Sequence, residues 1–205
     1  MRGGMRVLIT VAAATLAATL GTASSLAVTA TTWTVKPGGS FSGSGSMLTI
    51  VDTKTQGGFF CKSSSLAGTL KSGSGLAGGG LGSVTSISAT GCDEPAAAGF
   101  TFSHLPYVLS ASSYSSGTTK GKISGIHAKG TGPGCVFVID GTSATADNGS
   151  AKVTYSNSTG KLKLVSGGNL HFYNVSGCFG LFLSGDPVTP ADTFTLSPKQ
   201  TITSP

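Results

Sequence analysis

Four cysteines, three histidines and a few carboxylates are the side chains with chemistry to offer in this 205-residue chain. Cys61, Cys92, Cys135 and Cys178 form an even set, which in an exported chain reads as two disulfides. Spacing alone allows three connectivities. The flanking residues favour Cys61 with Cys92 and Cys135 with Cys178, because the two halves rhyme. Each opens on a cysteine beside apolar residues, Phe59-Phe60-Cys61 and Cys135-Val136-Phe137, and each closes on Gly-Cys, at Gly91-Cys92 and Gly177-Cys178. A structural zinc site is not indicated, since no cysteine pair has the usual separation of roughly two to four residues and His104, His127 and His171 are scattered.

The three imidazoles are the only groups suited to acid–base work near neutral pH. Each lies in an apolar strand context: Phe102-Ser103-His104-Leu105-Pro106, Ile126-His127-Ala128 and Leu170-His171-Phe172. That setting fits a structural or solvent-facing histidine better than a catalytic one. A triad of Ser, one His and one of Asp52, Asp140, Asp147, Asp186 or Asp192 stays open, because triads are set by geometry rather than spacing. With 30 Ser in the chain, however, the presence of Ser carries almost no information. No Gly-x-Ser-x-Gly elbow occurs. Asp93-Glu94 are adjacent in a Cys-Asp-Glu-Pro turn and read as solvated rather than as a glycosidase pair. Gly73-Ser74-Gly75-Leu76-Ala77-Gly78 matches the dinucleotide fingerprint literally. The pattern after it, Ser83-Val84-Thr85-Ser86-Ile87, is that of a strand, so no helix N-terminus is there to meet a pyrophosphate. This stretch reads as a mobile loop or a packed glycine-lined turn. The expectation is of no catalytic residue, no cofactor and no metal.

The elements that would carry these residues are short strands. Gly, Ser and Thr make up about 43% of the chain and there is a single Glu, Glu94, so runs of good helix formers are missing. Leu, Ile, Val and Phe total about 23%, enough to fold but only around a thin core. Strand patterns fall at 33–35, 47–53, 59–62, 84–89, 100–103, 107–111, 122–128, 136–139, 151–156, 161–165, 170–175 and 193–196. Turn residues at Asp147-Asn148-Gly149-Ser150 suggest a tight hairpin, and those at 157–160 and 167–169 suggest a three-stranded meander over 151–175. The fold class is therefore all-β, an antiparallel sandwich or barrel-like domain over 31–205, with two duplicated cysteine-bounded halves as the simplest account.

Residues 1–6 carry two Arg, 7–20 are apolar, and Val28-Thr29-Ala30 offers a small-residue cleavage site, so 1–30 reads as a secretory signal peptide. Cleavage leaves eleven Lys and no Arg against seven acids, a net charge near +4. Nucleic-acid binding is disfavoured by the lack of Arg and of a basic cluster. Weak association with anionic cell-wall polymers suits the dispersed lysines, among them the Lys-lined strand 161–165. Phe179-Gly180-Leu181-Phe182-Leu183 is the most concentrated apolar segment. It reads first as a buried strand and second as an apolar surface, or as the lining of a small-ligand cavity.

Several stretches resemble a group of small secreted actinobacterial proteins without assigned activity. They are Thr31-Thr32-Trp33-Thr34-Val35-Lys36-Pro37-Gly38-Gly39-Ser40, Gly68-Thr69-Leu70-Lys71-Ser72-Gly73-Ser74-Gly75-Leu76, Asn157-Ser158-Thr159-Gly160-Lys161-Leu162-Lys163, Val175-Ser176-Gly177-Cys178 and the 200–205 tail. The resemblance implies secretion, four cysteines and an all-β domain, and carries no catalytic residues. The sequence thus points to a non-enzymatic secreted structural or binding protein at or outside the cell envelope. A carrier of a small apolar ligand is the alternative, with a secreted hydrolase third.

Overall fold

A computed structural model describes residues 31–93, 96 and 99–205. The expected leader, 1–30, and Glu94 lie outside the described residues. Among the described residues, fifteen strands, all paired antiparallel, and one 3-10 turn account for the regular structure. Among the described residues no helix is long and apolar enough to cross a membrane.

The largest sheet contains a ring. β2 (Gly39–Gly45) and β3 (Leu48–Asp52) run end to end along β4 (Gly58–Leu70), which spans both. From β4 the pairing passes to β6 (Gly82–Cys92), β8 (Tyr107–Ser115), β9 (Thr118–Gly132), β11 (Gly149–Ser156), β12 (Lys161–Gly168) and β14 (Val188–Ser197). β14 returns to β2 and β3, so the circuit closes. Alternation along each strand turns one side chain in and the next out, as in 161–165, where Leu162 is buried between exposed Lys161 and Lys163. A separate 3-stranded sheet, β15 (Thr201–Thr203), β1 (Thr32–Lys36) and β5 (Gly73–Ala77), covers one side of this core with Trp33, Val35 and Ile202 buried. Gln200, fully buried, ties it down: its Oε1 accepts from the Gly38 N–H at 2.9 Å, and its carbonyl accepts from the Tyr155 hydroxyl at 2.8 Å.

A second set of strands branches from β9. Its N-terminal part pairs with β8 and β11, whereas residues 127–132 pair with β7 (Gly99–Ser103) and β10 (Cys135–Asp140), and β10 pairs on with β13 (His171–Gly177). Here Phe59, Phe100, Phe137, Phe172 and Phe182 pack ring against ring. A Cβ on Gly130 would run into the Phe137 ring, so only glycine lets β9 pass this cluster.

All twelve expected strands are present, and three more appear. β2, β5 and β15 carry almost no apolar alternation, and β5 lies inside the glycine-rich stretch read as a loop or turn. The expected meander over 151–175 is not formed. β11 and β12 make a hairpin, but β12 continues to β14 while β13 joins β10, because Gly167 and Gly168 (φ 100° and 117°) lead the chain out of the sheet. Nor is 147–150 a tight hairpin, since β10 and β11 lie on either part of β9 without pairing with each other.

Both disulfides join the expected partners, Cys61 to Cys92 and Cys135 to Cys178. Each staples antiparallel neighbours, β4 to β6 within the ring and β10 to the chain just past β13 in the branch. With separations of 31 and 43 residues, each should contribute about 4 kcal/mol in the loop-entropy description. Replacing either pair by serine is expected to lower the unfolding free energy by about 2–4 kcal/mol in urea titration. An unchanged urea midpoint would refute the staple role.

Candidate functional site

The segment 179–183 is a loop rather than the buried strand expected, following the 3-10 turn Cys178–Gly180. Phe182 alone is buried, stacked on Phe172 with ring centroids 4.3 Å apart. That anchor and its neighbours turn the other three apolar residues to solvent: Phe179 is 83% exposed, Leu183 55% and Leu181 38%. The loop is pinned on several sides. Cys178 is bonded to Cys135, the Thr55 hydroxyl donates to the Leu181 carbonyl at 2.6 Å, and the Gly185 N–H donates to the Phe172 carbonyl at 2.7 Å. Val136, beside Cys135, adds a further exposed apolar side chain. An apolar tip of this kind is held out in water by covalent and hydrogen-bonded constraints, not by loop mobility.

Inside the ring two separate apolar voids remain, each of 50 Å³. One lies between Phe41, Leu109, Val153 and Ile202, the other between Ile50, Phe102, Ile123 and Leu164. Pockets that hold small ligands are roughly 300–1,000 Å³, so these voids are packing gaps.

The histidines, scattered in sequence, are brought beside carboxylates by strand register. Ser103 pairs with His127 across β7 and β9, which sets His104 next to His127 with ring centroids 4.7 Å apart. Continuing the β9–β10 register past Ala128 and Ile139 sets His127 opposite Asp140. The His127 Nδ1 lies 3.0 Å from Asp140 Oδ2 and 3.1 Å from Asp147 Oδ1, and the His104 Nδ1 lies 2.5 Å from the same Asp147 oxygen. Asp140 is fully buried and accepts the backbone N–H groups of Gly141, Asp147, Asn148 and Gly149 at 2.6–3.2 Å. Burial works against its charge, but these N–H groups and His127 outweigh it and hold the carboxyl below its ordinary range. Tyr107 closes the floor, its hydroxyl 2.7 Å from the His127 carbonyl, with burial pushing its pKa up to about 12. His171 is paired with Asp140 across β10 and β13, but its Nδ1 is turned to the carbonyls of Gly141 and Asn169 rather than to a carboxylate.

Among the described residues no serine, threonine or cysteine side chain hydrogen-bonds to any of the three imidazoles. The arrangement can hold a proton or a cation, but it does not assemble a nucleophile. Nothing in the sequence marks it, because the two clustered histidines lie 23 positions apart and the pairing of β7, β9 and β10 alone joins them.

The lysines are not dispersed as expected. Lys120 and Lys122 of β9, Lys152 of β11 and Lys161 and Lys163 of β12 are all exposed on the outer face of three adjacent strands. Lys122 is paired directly with Lys152, and Thr154 is flanked by Lys120 and Lys163. Two open depressions of 590 and 580 Å³ run beside them. Among the described residues none of the five makes an ion pair; the lysine that does is Lys54, with Asp186 at 2.8 Å. Like charges directly opposite on a ladder oppose pairing, so Lys122 against Lys152 works against the β9–β11 ladder rather than for it.

The model of the alkane oxidation protein activator PraA/PraB-like family matches residues 5–203. The chain belongs to this family. Comparison with curated proteins and with solved structures yields no match. The PraA/PraB-like match covers both the ring and the branch, so the apolar tip, the imidazole cluster and the lysine face all fall within it.

The buried Asp140 carboxylate makes stability depend on pH. A carboxyl held low in the folded chain contributes stability that is full above its unfolded pKa and is lost as the pH falls through the folded one. Wild-type stability should therefore fall in acid below about pH 4, and Asp140→Asn should cost roughly 2 kcal/mol at neutral pH while flattening that acid limb. Urea midpoints measured across the acid range would show this, and parallel curves for the two proteins would contradict it.

Proposed function

We propose that this protein is a non-catalytic accessory factor in alkane use that works outside the cell by contacting hydrocarbon at its interface with water. The apolar tip carries the reading: Phe179, Leu181 and Leu183 are exposed on a pinned loop, in a chain whose family is named for the activation of alkane oxidation. Burying a Phe and two Leu side chains in hydrocarbon is worth on the order of 5 kcal/mol, enough for reversible adsorption without any enclosed pocket. The 50 Å³ voids of the ring support a surface contact over internal carriage. An activator role agrees with an imidazole cluster that lacks a nucleophile. Two disulfides are compatible with an extracellular protein, as are the leader-like 1–30 and the resemblance to secreted actinobacterial proteins.

Partition between buffer and hexadecane droplets tests this. Phe179→Ser with Leu183→Ser should reduce adsorption by about tenfold or more, with circular dichroism and melting temperature unchanged. Equal adsorption of the folded variant would overturn the reading.

A second contact, with anionic polymers of the cell surface, is favoured by the five-lysine face. Retention on a glycerol-phosphate polymer should weaken as salt rises from about 50 to about 500 mM. It should also weaken in Lys122→Glu with Lys163→Glu. Retention indifferent to salt and to this variant would remove the polymer from the proposal.

A further inference from the structure

We propose that His104, His127 and Asp147 form a solvent-facing site for a divalent transition-metal ion of the zinc class. Their donor atoms lie within 4.8 Å of one another and come from three separate segments: the chain after β7, strand β9 and the chain before β11. Donors around a tetrahedral zinc at about 2.0–2.1 Å sit roughly 3.3 Å apart. The 2.5 and 3.1 Å separations from Asp147 Oδ1 need less than about 1 Å of opening to reach that spacing. His104 and Asp147 are both partly exposed and flank the mouth, whereas His127 is largely buried behind them.

Charge argues in the same direction. Two carboxylates, Asp140 and Asp147, face two imidazoles, and among the described ion pairs no lysine reaches either acid. Protonating both imidazoles would balance the acids but would set two like charges on rings 4.7 Å apart. A single divalent ion supplies the same charge and converts that repulsion into shared coordination. Asp140, fixed by its backbone N–H groups, places Oδ2 3.0 Å from the same His127 Nδ1; an ion replaces the proton of that contact and meets a second negative charge close by. Two imidazoles with one carboxylate suit zinc or copper and not calcium or magnesium, which take oxygen donors. Three protein ligands leave a coordination position open to solvent. His171, whose Nδ1 faces backbone carbonyls, lies outside this set.

Equilibrium dialysis of the disulfide-bonded protein against Zn²⁺ at neutral pH, with bound metal measured by mass spectrometry, tests the assignment. One ion per chain is expected, with affinity reduced by about tenfold or more in His104→Ala and in Asp147→Asn, and unchanged in His171→Ala and in excess Ca²⁺. His104 is an exposed loop side chain, so its variant reports on binding and not on folding, which a melting curve confirms. Absence of retained Zn²⁺ in the wild type, or equal retention in folded His104→Ala, would overturn the site.

Discussion

The backbone hydrogen bonds of β9 are divided between two sets of partners, and most of what the protein presents follows from that division. Over its N-terminal part the strand lies between β8 and β11 and completes the ring; over its C-terminal part it lies between β7 and β10 and starts the branch. Every N–H and C=O of a buried strand must find a partner. A fifteen-residue strand can meet that demand only if shorter strands line up along both of its edges. The same strand carries Lys120 and Lys122 on the basic face and His127 in the imidazole cluster, so both surfaces are set out from one rigid backbone.

A chain this poor in large apolar residues cannot rely on volume alone to hold such a fold. Its core concentrates the aromatic rings in the branch and leaves two small voids in the ring, while glycine at position 130 lets β9 run close against Phe137. The disulfides act where each ladder would fray, and the Cys135–Cys178 bridge also fixes the base of the apolar tip. The core and the apolar tip meet at Phe182, whose burial on Phe172 is what sends Phe179, Leu181 and Leu183 outward.

Polar chemistry is segregated from this apolar tip. Asp140 gathers four backbone N–H groups and one imidazole in a place without solvent, organising the chain from Gly141 to Gly149 around its charge. The lysine face lies on the ring, with no acid to neutralise it among the described ion pairs. The exposed apolar side chains sit on the pinned 179–183 loop and the lysines on the outer face of β9, β11 and β12, so the two surfaces are carried by different parts of the fold.

Alternation and turn chemistry are local, and what depends on them is legible in the order of the amino acids: the antiparallel all-β class, twelve of the strands and the 157–160 hairpin. The rhyme of the cysteine-bounded segments likewise points to the pairing found, because each staple joins strands that are neighbours in the sheet. Segments such as Gly39–Gly45 and Gly73–Ala77 are invisible at that level, since their strand state comes from partners that supply the hydrogen bonds and not from their own side chains. The sequence can name His104, His127, Asp140 and Asp147 but not join them, nor gather five lysines on one face, nor say which of the residues 179–183 faces water. Those outcomes depend on which distant strand pairs with which and in what register. Only the closing of the whole hydrogen-bonded circuit, with its branch at β9, makes that choice.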